Sequence, residues 1–190
     1  MHKTAILSLL IVIGLISCRS SEKKINALDI AAKYYKALDQ SDASAMAHLL
    51  NDSLVTKETS YDYEQTFTKV EYLEWLKWDS VFDPTYEILE MERDDESIKA
   101  KISKIDKRIS FLHEQPIVTK QVIRFYQDKI ASVETAEYVL FNDSTFVKNR
   151  DSLLNWIDEN YPELNGFIND QTAAGGRRYL KAIELYQNKN

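Results

Sequence analysis

The hydrophobic period of this chain shifts from mainly helical to alternating at Asp83-Pro84, and the shift constrains the fold class more tightly than any single residue. Before it, apolar side chains recur at helical spacing. Ile25, Leu28, Ala31, Ala32, Tyr35 and Leu38 form one stripe with Lys and Asp opposite, which predicts an amphipathic helix. Asp39-Gln40-Ser41-Asp42 breaks it, and Asp42 can cap a shorter helix whose apolar side is Met46, Leu49 and Leu50. Asn51-Asp52-Ser53 turns into a short strand over Leu54 to Thr56, and Tyr61 to Phe67 is irregular or a strand. Thr68 and Glu71 have capping-box spacing and Phe67 can staple onto Tyr72, so a third helix starts there and ends near Ser80.

After Asp83-Pro84 the residues alternate. Tyr86 to Glu92 and the run Ile98, Ala100, Ile102 make one hairpin around Arg93 to Ser97. Ile105, Ile109 and Phe111 fall one residue out of phase, which predicts a bulge near Ser103 to Lys104 that bends a long strand. Val118 to Tyr126 and Ile130 to Leu140 make a second hairpin. The fold class is therefore α+β, a curved antiparallel sheet with its helices gathered on one face. A tail follows. Asn142 opens a helix bearing Phe146, Leu153, Trp156 and Ile157, and a second helix from about Thr172 bears Tyr179, Leu180, Ile183 and Tyr186. Neither is stable alone, so each must bury its stripe.

The chain's start is a separate matter. His2 and Lys3 precede Ala5 to Ile16, which carries no charge, and the run Leu15-Ile16-Ser17 ends on Cys18, the one cysteine of the chain. This pattern resembles a bacterial lipoprotein signal, in which residues 1–17 are removed and the thiol of Cys18 carries the lipid. Residues 18–24 then read as a polar tether, 25–141 as the main domain and 142–190 as a helical extension. The resemblance implies a membrane partner through the N-terminal lipid and a place in the cell envelope. Arg19 lacks the aspartate character of inner-membrane retention signals, which leans the reading to the outer membrane. The net charge of -6 argues against nucleic acid as a partner.

Ala32-Lys-Tyr-Tyr-Lys-Ala-Leu38, the turn Gln40-Ser-Asp-Ala43, Leu49-Leu-Asn-Asp-Ser-Leu-Val55, Val122-Ile-Arg-Phe125 and Ile130-Ala-Ser-Val133 together resemble the nuclear transport factor 2-like superfamily, which includes ketosteroid isomerase and the polyketide cyclases. The tail segments Tyr161 to Phe167 and Tyr179 to Glu184 are similar to those of lipoproteins of that fold from the Bacteroidota. The resemblance implies a cone of curved sheet around an N-terminal helix, with an internal pocket. The tail's stripes can bury on this chain's own sheet or on another protein; the first would cover the sheet face that relatives use to dimerise and leave a monomer or weak homodimer. The isomerase pattern places its tyrosine on Tyr34, but its strand acid falls on Gln121 and its base on Lys57 beside Glu58. Two of the three catalytic roles are altered, so the resemblance brings no isomerase chemistry with it.

Other chemistry is sparsely represented. His48 and His113 have no partner at zinc-ligand spacing, and no phosphate loop or calcium loop occurs, so neither metal nor cofactor is implied. His48 reads as a helix-surface residue and His113 with Glu114 as an exposed turn pair. Aromatic residues are the enriched class. Tyr61, Tyr63, Phe67, Tyr72, Trp75 and Trp78 cluster within a short stretch, suited to an apolar or amphiphilic small molecule. The candidate ligand-binding residues are Tyr34, Tyr63, Trp75, Gln121 and Arg124, with Arg124 contributing a cation if its strand face points inward; its outward alternative is a solvated sheet residue. A non-enzymatic module that binds such a molecule or an envelope partner thus leads, with an enzyme of the cyclase or isomerase kind using Tyr34, Glu58 or Glu134, or a structural lipoprotein, as alternatives.

Overall fold

The computed structural model describes residues 26–189; Cys18 and the tether lie outside the described residues. The helices α1 (Ala27–Asp39) and α2 (Ala43–Leu49) lead into β1 (Leu50–Glu58), and β2 (Tyr63–Thr68) leads into α3 (Lys69–Ser80). The hairpin β3 (Thr85–Asp94) and β4 (Ser97–Ile105), the short helix α4 (Lys107–Leu112), the hairpin β5 (Ile117–Tyr126) and β6 (Lys129–Leu140), and the tail helices α5 (Asp143–Asn160) and α6 (Ala173–Gln187) follow. Local chemistry sets these boundaries. Asp42 accepts from the Ala45 N–H at 2.9 Å, and Thr68 and Glu71 cap each other reciprocally. Asn142 and Thr172 cap α5 and α6 as their sequence positions predict.

Six strands form one sheet in the order β2-β1-β6-β5-β4-β3. β1 runs parallel to β6, and every other pair is antiparallel. Register shifts in β3 between Ile88 and Glu90, and in the β5–β6 pair at three places, supply the bends that curl the sheet. The concave side closes over α1 and α3. Tyr34, Tyr35 and Leu38 of α1, Tyr72 and Leu76 of α3, and Ile98, Ile102, Ile123 and Ile130 of the sheet make the main core. Each fully buried Ile or Leu there contributes about 1.5–3 kcal/mol.

Three expectations are corrected. β1 is nine residues long, Leu50 to Glu58, because its pairing with both β2 and β6 extends it beyond Leu54 to Thr56. The bulge near Ser103 to Lys104 does not exist: β4 stops at Ile105, and Asp106 accepts the Ile109 N–H at 2.5 Å to start α4. Ile109 and Phe111 fall out of strand phase because they lie on α4, while Ile105 ends β4. His113 is not an exposed turn residue either. It is 1% exposed, stacked on Phe141, and its Nε2 accepts from the Asn142 N–H at 2.7 Å while its Nδ1–H donates to the Gln115 carbonyl at 2.8 Å.

The tail packs within the chain, but not on the sheet. Leu153 and Ile157 of α5, Phe167, and Tyr179, Ala182 and Ile183 of α6 bury Trp78, Phe82 and Leu112 in a second core. The reason lies in what each surface offers. The end of α3 and the face of α4 are apolar, whereas the outer sheet face carries cross-strand ion pairs, Glu90 to Lys101 at 3.0 Å, Lys120 to Glu137 at 2.7 Å and Arg124 to Glu134 at 2.7 Å. Gly176 brings α6 against α3; a Cβ there would stand 3.2 Å from Val81 and 3.3 Å from Trp78.

Candidate functional site

The sheet, α1, α3 and α4 enclose a cavity of about 330 Å³, a size suited to a small organic molecule. The capping box at Thr68 starts α3 so that Tyr72 and Trp75 face the cavity, joined by Phe67 and Tyr63 from β2. Tyr72 stacks on Trp75 with centroids 5.1 Å apart, and Phe67 meets Tyr72 edge-on at 5.7 Å. These rings form one continuous aromatic side of the wall.

Polar groups in the wall are mostly already paired. The hydroxyls of Tyr34 and Tyr72 share a 2.6 Å hydrogen bond, and burial raises both well above the ordinary phenol range. Tyr35 donates to Gln121 Oε1 at 2.9 Å, and the Gln121 amide donates to Thr119 Oγ1 at 3.2 Å. Tyr138 donates to Glu58 Oε2 at 2.8 Å; burial first, then the Glu58 charge, raises its phenol. Lys104 and Arg108 also face the cavity. Behind them lie Asp79 and Asp106, whose side chains are fully buried. Lys104 Nζ is 2.6 Å from Asp79 Oδ1, and the Tyr86 hydroxyl donates to Oδ2 of the same carboxylate at 2.9 Å.

Of the sequence candidates, Tyr34, Tyr63, Trp75 and Gln121 line this cavity together. Arg124 does not. It stands on the outer sheet face, where its Nη1 pairs with Glu134 and holds that carboxyl below its usual range, chiefly through the hydrogen bond. Lys120 is likewise outside, on Glu137. Tyr61 packs edge-on against Tyr138 near the surface, and Trp78 turns away into the second core. His48 is on the surface of α2, its Nδ1 bonded to the Ser44 carbonyl. Of the isomerase positions, Tyr34 is satisfied by Tyr72, Gln121 by Tyr35 and Thr119, and Glu58 is, among the described lining residues, the one carboxylate on the wall. Lys104, Arg108, Asp79 and Asp106 were not anticipated; an Asp at 106 three residues before Ile109 is the cap signal that could have found them. No cluster of three or more His, Cys, Asp or Glu is placed to hold a metal among the described residues. Nor is any described helix long and apolar enough to cross a membrane.

Solved structures share this architecture. A protein from Kribbella flavida superposes with a TM-score of 0.50 at 11% identity, covering 66% of this chain and 94% of its own. IdmH from Streptomyces antibioticus, a candidate polyketide cyclase, also gives 0.50 at 11% identity, covering 66% and 99%. An NTF2-like protein of unknown function from Cytophaga hutchinsonii gives 0.49 at 12%, covering 66% and 98%. No protein-family model matches the chain, and no curated protein matches it significantly in sequence. The two superpositions at 0.50 show that the chain shares its fold with the Kribbella protein and with IdmH. At these identities the likeness concerns fold alone.

Proposed function

We propose that this chain is an envelope-anchored lipoprotein whose cone binds a small apolar or amphiphilic molecule. One observation carries the binding reading: a cavity of about 330 Å³ walled by Tyr34, Phe67, Tyr72 and Trp75, with most of its deep polar atoms paired within the protein. Rings offer apolar area at little conformational cost, and paired polar groups impose no desolvation penalty on an apolar guest. The anchor reading rests on the Ala5 to Ile16 run before Cys18.

Native mass spectrometry of the protein recovered from its host tests the first part. A retained small molecule, lost when Trp75→Ala and Tyr72→Ala are combined, supports it; a bare protein in repeated preparations counts against it. For the anchor, Cys18→Ser is expected to move the protein from the detergent phase to the aqueous phase. Unchanged partitioning would remove the lipid.

A further inference from the structure

We infer that the ligand of this cavity is an anion, a ring-bearing or acyl molecule with a carboxylate-like head seated at Lys104 and Arg108. The inference rests on the cavity-binding reading above and adds the charge and orientation of the guest.

The charged residues on the wall are Lys57, Lys104, Arg108 and Glu58, three cations against one carboxylate, in a chain whose net charge is -6. Their placement is unequal. Lys57 is exposed at the rim near Glu58, and Glu58 is occupied by the Tyr138 hydroxyl. Lys104 and Arg108 are deeper, with side chains 18% and 21% exposed. Their counter-ions do not share the wall. Asp79 lies behind Lys104, and Asp106 lies 3.7 Å from Lys104 Nζ and 3.5 Å from Arg108 Nη2, both with no exposed side-chain surface. The four charges cancel at a distance, yet the cluster is a dipole with its positive end toward the cavity. Local selectivity follows from which atoms face the guest.

Hydrogen-bonding capacity points the same way. The guanidinium of Arg108 lies over the Trp78 ring at 5.0 Å and the Phe82 ring at 5.3 Å, which fixes its plane. Its Nε is buried out of reach of the cavity, so the donors it can offer a guest are those of its terminal nitrogens, and Nη2 makes only a 3.5 Å approach to Asp106 Oδ2, which itself has no hydrogen-bond partner among the described residues. An Arg so held keeps free donors in a fork that suits a carboxylate. Lys104 spends one N–H on Asp79 and is flanked by the Tyr86 ring at 4.8 Å and the Trp75 ring at 5.9 Å. The rings of Trp75, Tyr72 and Phe67 continue from that point and would take the apolar body. Asp106 holds α4 by its cap, so Arg108 is presented from a helix rather than a free loop.

Calorimetric titration with three naphthalene probes tests this: 2-naphthoate, 2-naphthylmethanol and 2-naphthylmethylamine. The carboxylate should bind about tenfold or more tighter than the neutral alcohol, the size of one or two charge-assisted hydrogen bonds, and the amine weakest. Arg108→Gln should abolish the preference while leaving the alcohol's affinity in place. Lys120→Gln, on the outer sheet face, should leave the preference intact. If Arg108→Gln does not fold, Lys104→Gln combined with Asp79→Asn keeps the buried charge balanced and should reduce the preference instead. Alcohol or amine binding as tightly as naphthoate overturns the anionic head while leaving the cavity reading standing. Failure of all three probes overturns both.

Discussion

The ammonium of Lys104 on β4 lies 2.6 Å from the carboxylate of Asp79 on α3, and the Asp79 side chain has no solvent exposure. Tyr86 of β3 donates to the other oxygen at 2.9 Å, and burial raises the Tyr86 phenol well above its usual range, with the Asp79 charge adding to the effect. Three elements thus meet at one charge. Removing the cation alone leaves that carboxylate buried and uncompensated, so Lys104→Met should destabilise the fold by about 3–5 kcal/mol. Asp79→Asn added to it should recover most of the loss. Denaturant titrations of the three proteins measure both; a single Lys104→Met variant as stable as the parent would contradict the argument.

The box at the start of α3 predicts a smaller, pH-dependent effect. Thr68→Ala removes the acceptor for the Glu71 N–H and should cost about 1 kcal/mol. Hydrogen bonds from Thr68, the backbone N–H first, hold the Glu71 carboxyl below the usual carboxylate range. A carboxyl lowered on folding stabilises the fold above its unfolded value, and that contribution is lost as pH falls through the lowered one. The gap between the parent and Glu71→Gln should therefore be full near neutral pH and close below pH 4.5. Unfolding midpoints across that range show whether it does.

How much of this was legible depended on the length of each signal. α1, α3, α5 and α6 span several turns, with a cap residue at the start of each, and the period read from the sequence matches the helix formed. α4 has six residues, too few to show a helical period, and its Ile109 followed a true strand closely enough to pass for its continuation. The missed site cations ride on that error, since Lys104 and Arg108 flank the strand-to-helix junction. Arg124 shows the other limit. Gln121 and Arg124 are three residues apart, so a regular strand cannot turn both inward, and alternation alone does not say which one faces the core. The structure selects Gln121. The two tail stripes were readable as buried, but their receiving surface was not, because it is assembled from Trp78, Phe82 and Leu112 on separate elements.

Gly175 separates two opposing effects of a methyl group. In a helix Gly→Ala ordinarily stabilises by about 1 kcal/mol. Here the new Cβ would lie 2.1 Å from the Asp170 backbone oxygen, a clash that a flexible side chain cannot relieve. Asp170 also binds Thr172 and Arg178, so the displaced segment carries the start of α6 with it. Gly175→Ala should therefore lower stability by about 1–3 kcal/mol, the usual scale of overpacking. A raised melting temperature would show that the Asp170 turn can move freely.

The imidazole of His113 joins α4 to the start of α5 through two backbone groups and is 1% exposed. Phenylalanine would keep the stacking on Phe141 but leave the Asn142 N–H and the Gln115 carbonyl unpaired. Gln115 and Asn142 are themselves exposed, so each lost bond costs about 0.5–1.5 kcal/mol rather than a full burial penalty. His113→Phe should lower the denaturation midpoint, and hydrogen exchange at the Asn142 amide should accelerate. Unchanged exchange would mean that the ring is packing alone.

The position of the tail makes a prediction about association. Because α5 and α6 sit on α3 and α4, the outer sheet face is open and bears the Glu90–Lys101, Lys120–Glu137 and Arg124–Glu134 pairs in water. Burying such a face against a second copy would desolvate charges already satisfied by short-range partners. Residues 26–190 should therefore sediment as a monomer at micromolar concentration. Removing Asp143 to Asn190 exposes Trp78, Phe82 and Leu112 together, a contiguous apolar patch of the kind that drives association. That truncated chain should aggregate or unfold. A well-folded truncated monomer would show the second core to be dispensable, and a full-length dimer dissociated by Lys101→Glu would place the interface on the sheet after all.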